Sequence, residues 1–283
     1  MIGCILAASD FSARSRAALG RAALLARQAG CRLVLLHVVD EDAPADVVQA
    51  RTAIAEQELG RERDALAGVD ATTRVVAGDP FAAIHAAAEA AGADLVVVGD
   101  HRRSLLRALF LDTTVERLIR IATLPVLMAR GPATTAYVHA VAGVEAEPAA
   151  GLLAVLARLG AAAPAHVTLL HAFDPVATGT LAFAGASDAA IRAYETAQAD
   201  ALRRELADAA PLVRDIHVGA GDPVTVLEAT ADRRDADLVV TATHARRGLG
   251  RLVLGSVTSR LLRESDRDLL VIPPGLLDAT NAA

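Results

Sequence analysis

The sequence reads LVLLHVVD at residues 33–40 and VTLLHAFD at residues 167–174, an offset of 134 positions. Further matches follow at an offset of 143: GDP at 78–80 and 221–223, DLVV at 94–97 and 237–240, and the histidines His101 and His244. Because both order and spacing are kept, we interpret the chain as a duplicated domain and not as a solenoid of short repeats. The change of offset predicts nine extra residues in the second half, which we place around residues 178–185.

The length and composition agree with two folded domains. The 283 residues exceed the roughly 100–200 residues of an ordinary domain. Hydrophobic residues make up 53% and charged residues 22%, which is typical of a chain with a large core and excludes intrinsic disorder. Residues 130–135 form a short turn-rich linker, so we predict domains at residues 1–131 and 132–283.

Each half alternates short apolar runs with helical patterns. The runs are predicted as strands at 2–8, 32–38, 73–77, 94–99 and 125–129, and again near 136–141, 165–171, 214–219, 237–242 and 268–272. Such alternation predicts an α/β fold: a parallel, doubly wound five-stranded sheet of order 3-2-1-4-5 in each half, with helices on both faces. Asp79-Pro80 and Asp222-Pro223 are predicted to start helices, because aspartate caps a helix and proline fits its first position.

Ligands bind such sheets at the carboxyl ends of the strands, where the winding reverses between strands 1 and 4. In the first half this switch point contains residues 8–10 together with 99–101. In the second half it contains residues 141–143 together with 242–244.

Composition excludes several classes of function. Aromatic residues make up 2% and the net charge is −6, so neither base stacking nor a nucleic-acid footprint is expected. All 28 basic residues are arginine, which excludes a P-loop lysine and a Schiff-base lysine. No apolar stretch is long enough for a membrane span, and no basic leader precedes the first strand, so we expect a cytoplasmic protein without a membrane partner. Cys4 and Cys31 flank apolar runs and are expected to be buried as small hydrophobic residues.

These motifs together resemble the universal stress protein family. The resemblance rests on a strand followed by Asp-x-Ser and a helix, then Leu-His-Val, Gly-Asp-Pro, a Thr-His loop, and Gly-Ser before the last helix. It covers nearly the whole chain twice, so the chain is similar to tandem members in which two domains form a pseudo-dimer. Members that bind ATP carry Gly-x2-Gly-x9-Gly-Ser/Thr, and residues 241–257 come nearest to that pattern.

The resemblance implies a stress-response regulator that binds ATP or AMP, with Mg²⁺, at the switch point. A helix start carrying Gly255-Ser256 would hold phosphates through free amides and the helix dipole. Asp10 would suit ribose hydroxyls or a magnesium-bound water, and the backbone of Val38 would face adenine. The predicted nucleotide-binding residues are Ala8, Asp10, Val38, Gly99, His101, Arg102, Thr113, His244, Gly255, Ser256 and Val257.

Both halves depart from the family pattern. Arg102 and Asp112 replace glycines in the first half; in the second, Ala242 and Ala245 replace glycines and Ala142 replaces the aspartate of strand 1. A nucleotide-independent protein–protein interaction module with degenerate sites therefore stays open as the alternative function. No nucleophile–base pair and no metal-ligand spacing stand out. If the protein is an enzyme, we expect at most slow ATP hydrolysis.

Several residues also have purely structural interpretations. Asp10 could cap the helix that starts near Ser12, and Thr113 and Ser256 could be helix caps without any nucleotide. His37 and His171 lie within apolar strands and are expected to be largely buried and hydrogen-bonded. His101, His244 and Arg102 could be ordinary loop residues.

The fifth strands suggest how the halves associate. Residues 126–129 and 269–272 would lie at sheet edges, and an exposed apolar edge tends to pair. We therefore predict that they pair within the chain to form an intramolecular pseudo-dimer. The sequence leaves open whether two chains associate further as a homodimer.

Overall fold

The computed structural model describes residues 1–100, 113–144, 149–173, 187–211, 213, 215–243 and 254–278, except for the side chain at position 161. Several predictions fall outside these residues. They are the insertion around 178–185 and the site residues His101, Arg102 and His244, together with Asp112 and Ala245.

The first half alternates five strands with four helices among the described residues. Its elements are β1 Cys4–Ala8, α1 Ala13–Ala29, β2 Arg32–Val39, α2 Ala45–Asp64, β3 Ala71–Ala77, α3 Pro80–Ala91, β4 Leu95–Gly99, α4 Thr114–Ile121 and β5 Val126–Ala129. The short apolar runs of the sequence become strands because each is covered on both faces by helices.

The second half repeats this order. Its described elements are β6 His139–Gly143, α5 Ala149–Arg158, β7 His166–Phe173, α6 Asp188–Ala209, β8 Ile216–Ala220, α7 Pro223–Arg233, β9 Leu238–Ala242, α8 Ser256–Glu264, β10 Asp268–Ile272 and α9 Pro274–Asp278. Two predicted strands were displaced. The strand predicted at 136–141 is β6 at 139–143, and the one predicted at 214–219 is β8 at 216–220. The side chain of Tyr137 is buried at the junction described below, ahead of the strand.

The strands of both halves form one sheet in the order β3-β2-β1-β4-β5-β10-β9-β6-β7-β8. Each half therefore has the predicted order 3-2-1-4-5, with parallel pairing throughout. The halves meet where β5 and β10 pair antiparallel, with Leu127 opposite Leu270. The predicted pairing of the fifth strands is thus confirmed, and it removes two apolar edges from solvent.

Side chains alternate between two hydrophobic layers along each strand. On β1, Ile5 belongs to the layer under α1 and α5, whereas Leu6 belongs to the layer under α3 and α4. Both layers continue across the junction into the second half. Cys4 and Cys31 are buried free thiols in opposite layers, which confirms the prediction that both are buried.

A buried carboxylate ties the junction together. Asp268, at the start of β10, accepts hydrogen bonds from Arg21 Nε at 3.0 Å, Tyr137 Oη at 2.6 Å and the Arg130 backbone amide at 2.8 Å. The Arg21 guanidinium also lies 4.1 Å from the ring centroid of Tyr137. Burial, then the nearby Asp268 carboxylate, raises the pKa of Tyr137 well above its ordinary value. The phenol therefore stays a neutral donor to Asp268.

The Asp-Pro helix starts are confirmed. Asp79 accepts a hydrogen bond from the Phe81 amide at the start of α3, and Asp222 accepts one from the Thr225 amide at the start of α7. Each motif starts a helix that packs against the last helix of its half: α3 contacts α4, and α7 contacts α8. Within the described residues, no helix is long and apolar enough to cross a membrane. The domain boundary at residues 131 and 132 stays a prediction.

Candidate functional site

The predicted switch points lie at one edge of the sheet, where β1 and β4 end side by side in the first half and β6 and β9 in the second. In the first half this edge brings together Ala8, Asp10 and Gly99. In the second half it brings together Gly143 and Thr243, with the start of α8 following β9 in the chain.

Asp10 is an exposed carboxylate in a turn just after β1. Its Oδ1 accepts the Ser12 amide at 3.0 Å, while Ser12 itself caps α1 through its hydroxyl. The interpretation of Asp10 as the cap of α1 is therefore wrong. Desolvation raises the pKa of Asp10, but hydrogen bonds from Ser12 and Ser15 and the charge of Arg14 outweigh it, and the net pKa is lowered. Asp10 is therefore ionised at neutral pH.

A stacked ring pair lies beside this turn. Phe11 has a φ of 62°, and its ring stacks on His37 at a centroid distance of 4.3 Å. A bulky residue with positive φ is strained. Here the strained residue, Phe11, packs its ring against His37. His37 Nδ1 lies 2.8 Å from the Ser9 carbonyl oxygen, so the half-buried imidazole is hydrogen-bonded as predicted. Val38, the residue predicted to face adenine, follows in β2 and is half-buried.

Gly99 at the end of β4 has a packing role. A Cβ atom at this position would lie 2.9 Å from the backbone of Arg14 and Ser15 in the first turn of α1. The glycine thus allows α1 to approach β4. That close approach accounts for Gly99 without any nucleotide.

The start of α4 is closed by its own side chains. The Thr113 hydroxyl accepts the Glu116 amide at 3.1 Å, and the Glu116 carboxylate accepts the Thr113 amide at 2.9 Å. This capping box satisfies two of the amides that an anion would bind. Glu116 is only 6% exposed, and its other carboxylate oxygen lies 3.6 Å from Nε of Arg263 in α8. The interpretation of Thr113 as a helix cap is confirmed.

The start of α8 differs at the same position. Gly255 is its N-cap, and among the described residues no side chain forms a cap hydrogen bond with this helix. Ser256 is the first helical residue and is exposed, so the interpretation of Ser256 as a helix cap is wrong. The half-buried Val257 follows. The first amides of α8 therefore lack the internal side-chain acceptor that closes α4.

Thr243, which the sequence analysis did not single out as a site residue, follows β9 at the same edge. It is only 2% exposed, and its hydroxyl has no hydrogen-bond partner within the part of the chain that the structure describes. Its amide donates to the Ile272 carbonyl, which continues the strand pairing by one step. By strand alternation from Val239, Thr243 lies on the face of the sheet covered by α7 and α8. A buried hydroxyl without a partner is costly, so it points to an absent ligand or water.

Two further residues were not among the predicted nucleotide-binding residues, although Asp100 lies within the predicted switch point. Glu62 near the end of α2 accepts the Ser9 hydroxyl at 2.7 Å, and its other oxygen is buried without a hydrogen bond. Asp100, directly after β4, is paired at 3.0 Å with Arg130, which also donates to the Leu262 carbonyl in α8. Neither contact has a local sequence signal, because the partners are 53 and 30 positions apart.

The end of β6 repeats part of the first-half geometry. His171 Nδ1 lies 2.9 Å from the Val144 carbonyl oxygen, as His37 lies near Ser9. A Cβ atom on Gly143 would lie 2.9 Å from Leu227, so α7 packs closely on this strand end. Among the residues that the structure describes, no three His, Cys, Asp or Glu side chains form a group that could hold a metal ion.

Comparison with known proteins agrees with the duplicated fold. The sequence model of the universal stress protein family matches this chain twice, at residues 1–130 and 137–273. The chain belongs to the universal stress protein family. The two matches together cover most of its length, so it is a tandem member.

Solved structures share this tandem fold. A universal stress protein from Archaeoglobus fulgidus DSM 4304 matches 96% of this chain and 98% of its own at 15% identity, with a TM-score of 0.66. A candidate universal stress protein from Pseudomonas aeruginosa UCBPP-PA14 matches 99% and 96% at 22% identity, also with a TM-score of 0.66. These similarities show that the chain has the same fold as these proteins over nearly its whole length.

A single-domain match concerns one half only. A universal stress protein in complex with cAMP covers 45% of this chain at 23% identity, with a TM-score of 0.40. No curated protein matches this universal stress protein.

Proposed function

We propose that this universal stress protein is a stress-response regulator that binds ATP or AMP, and that the phosphates bind in the second half at the start of α8. The observation that carries the proposal is the contrast between the two equivalent helix starts. α4 is closed by Thr113 and Glu116, whereas α8 begins at Gly255 without a side-chain cap.

The start of α8 has the chemistry that phosphate needs. Free backbone amides and the positive end of the helix dipole favour an anion. No atom of the described residues lies within 4 Å of the position that a Cβ of Gly255 would take, so a ligand could approach its backbone closely. The exposed hydroxyl of Ser256 adds a donor at the first helical position.

Thr243 supports the same location independently. Its buried hydroxyl has no partner among the residues with a described position, and it lies on the sheet face under α7 and α8. A nucleotide at this strand end would give the hydroxyl the hydrogen bond that the protein does not supply. The residues of this edge therefore fit a phosphate-bearing ligand, and His244, outside the described residues, is proposed to belong to the same site.

The first half fits the same ligand less well. Its anion position is filled by the Glu116 carboxylate, and Gly99 is covered by the backbone of α1. Asp10 remains exposed and ionised, so it could bind ribose hydroxyls or a Mg²⁺-bound water. We assign Ala8, Val38 and Arg102 to this weaker first-half position.

Calorimetric titration of the nucleotide-free protein with Mg-ATP, Mg-AMP and adenosine tests the proposal. We expect ATP to bind with a stoichiometry near one per chain and adenosine to bind more weakly, because phosphate is the main contact. No heat with millimolar Mg-ATP would overturn the proposed function.

A nucleotide-independent interaction module is the second candidate, and the closed first half favours it. The capping box at Thr113 and the stack of Phe11 on His37 are expected if positions that once bound a nucleotide now only stabilise the fold. Mass spectrometry of small molecules released from the denatured protein separates the candidates. One nucleotide released per chain would contradict the interaction module.

A further inference from the structure

The first half contains an internal substitute for a bound anion. The Glu116 carboxylate lies at the start of α4, where one oxygen accepts the Thr113 amide at 2.9 Å. Its other oxygen lies 3.6 Å from Nε of Arg263, which belongs to α8 of the second half. A carboxylate at this helix start is thus hydrogen-bonded to its own helix and lies within ion-pair distance of an arginine of the other half, whose Nε donates to the Ser259 carbonyl.

The two halves are related by an approximate twofold axis. Leu127 pairs with Leu270 in the antiparallel β5–β10 ladder, and the two are equivalent positions at the repeat offset of 143. A residue that pairs with its own counterpart lies on such an axis. Across a twofold interface, a contact from one side to the other has a reciprocal contact between the equivalent residues.

The side chains around the last helix of each half follow this symmetry. Arg117 in α4 lies 3.7 Å from Asp79, and its counterpart Arg260 in α8 lies 2.7 Å from Asp222, the counterpart of Asp79. These two ion pairs are equivalent contacts of the two helices. The reciprocal of the Arg263–Glu116 contact joins Arg120 of the first half to the position of Ser259 in the second.

Resting on the proposed function, we infer that Arg120 binds the nucleotide phosphate at the start of α8, across the interface between the halves. Ser259 stands where the first half has Glu116, so the second half has no carboxylate of its own at this position. A phosphate at the start of α8 would take the place that the Glu116 carboxylate has at α4. The forked guanidinium of arginine matches phosphate geometry, and the half-buried position of Arg120 limits screening by solvent.

The proposal makes the second-half site composite: its helix start and Thr243 come from one repeat and its cation from the other. This explains why a tandem chain would keep both repeats although only one retains an open helix start. In this proposal Arg120 recognises the phosphate groups of ATP or AMP and not the nucleoside.

Titration of Arg120→Ala with Mg-ATP and with adenosine tests this inference. Loss of a charged hydrogen bond should weaken ATP binding by about tenfold or more, and leave adenosine binding unchanged. Arg117→Ala is the matched control, because it removes the same charge from the same helix while Arg117 faces Phe81 and Asp79. We expect it to bind ATP like the wild type.

Arg120→Lys keeps the charge and guards against misfolding of the alanine variant. It should bind ATP more weakly than the wild type, because the ammonium lacks the forked donors. Wild-type affinity for ATP in the folded Arg120 variants would overturn the inference while leaving the proposed function intact. Absence of ATP binding by the wild-type protein would instead overturn both.

Discussion

Arg21 in α1 and Asp268 at the start of β10 are 247 positions apart in the sequence, yet Nε and Oδ2 are 3.0 Å apart in a buried pair. The same carboxylate accepts the Tyr137 hydroxyl and the Arg130 amide. One residue of the second half thus binds the first helix of the first half, the residue after β5, and Tyr137 just before β6. The relative position of the two halves therefore depends on Asp268 as well as on strand pairing.

Asp268→Asn should strongly destabilise the protein. The change leaves the Arg21 charge buried without its counter-ion, and breaking such a pair typically costs about 3–5 kcal/mol. Urea unfolding followed by circular dichroism measures the free energy of unfolding. Asp208→Asn, an exposed aspartate of α6, is the control and should change it by less than about 0.5 kcal/mol. Equal stability of the two variants would show that the Asp268 cluster does not hold the junction.

Gly99→Ala should lower the stability of the protein more than Gly255→Ala does, although both positions belong to the predicted nucleotide site. A Cβ on Gly99 would lie 2.9 Å from the backbone of α1, so we expect a loss of about 1–3 kcal/mol. Gly255 has a φ of −61°, and no described atom lies within 4 Å of its Cβ position, so alanine should fit there; the only expected loss, about 1 kcal/mol or less, comes from alanine being a poorer N-cap than glycine. Thermal unfolding of both nucleotide-free variants checks the pair, and an undisturbed Gly99→Ala variant would contradict the packing role of Gly99.

Thr243→Val should stabilise the nucleotide-free protein and weaken ATP binding. Valine has nearly the same shape, and it removes a buried hydroxyl without a partner, whose desolvation costs about 1–3 kcal/mol. Urea unfolding without nucleotide measures the gain, and titration with Mg-ATP measures the loss. A destabilised variant would show that the hydroxyl already has a partner, and unchanged ATP affinity would remove Thr243 from the site.

Much of the fold could be predicted because duplication provides an internal check. The repeated Leu-His motifs located β2 and β7, and the two Gly-Asp-Pro turns located the starts of α3 and α7. The apolar fifth strands predicted the β5–β10 pairing. The errors at β6 and β8 lie at strand boundaries: apolar residues 136–138 precede the pairing of β6, and the start of β8 was placed two residues too early, at charged residues.

The site could be predicted only in part. The Thr113-x-x-Glu116 pattern is a capping-box signature, and it was the signal in the sequence that the start of α4 is closed. Asp112, which replaces a glycine of the family pattern, lies outside the described residues. The contact of Arg263 with Glu116 and the unsatisfied hydroxyl of Thr243 depend on packing between distant segments, which no local pattern encodes.

The pKa of Asp222 gives a prediction for acid pH. Hydrogen bonds from Arg260, and then from Thr225, lower it to about 2. Because the folded-state pKa is depressed, this carboxylate contributes stability above the unfolded value of 3.8, and the contribution is lost as the pH falls towards about 2. Nuclear magnetic resonance titration of the Asp222 carboxyl carbon in the wild type and in Arg260→Ala checks it. The variant should titrate at higher pH, and identical curves would contradict the assigned cause.

The most direct test of the phosphate position transfers the first-half closure to the second half. Ser259→Glu places a glutamate at the sequence counterpart of Glu116, in the first turn of α8, where its carboxylate should lie close to the first amides of the helix. Thr196→Glu adds the same charge at an exposed position of α6 and is the control. In calorimetric titrations with Mg-ATP, we predict that Ser259→Glu loses binding while Thr196→Glu binds like the wild type. Wild-type affinity in the Ser259→Glu variant would contradict phosphate binding at the start of α8.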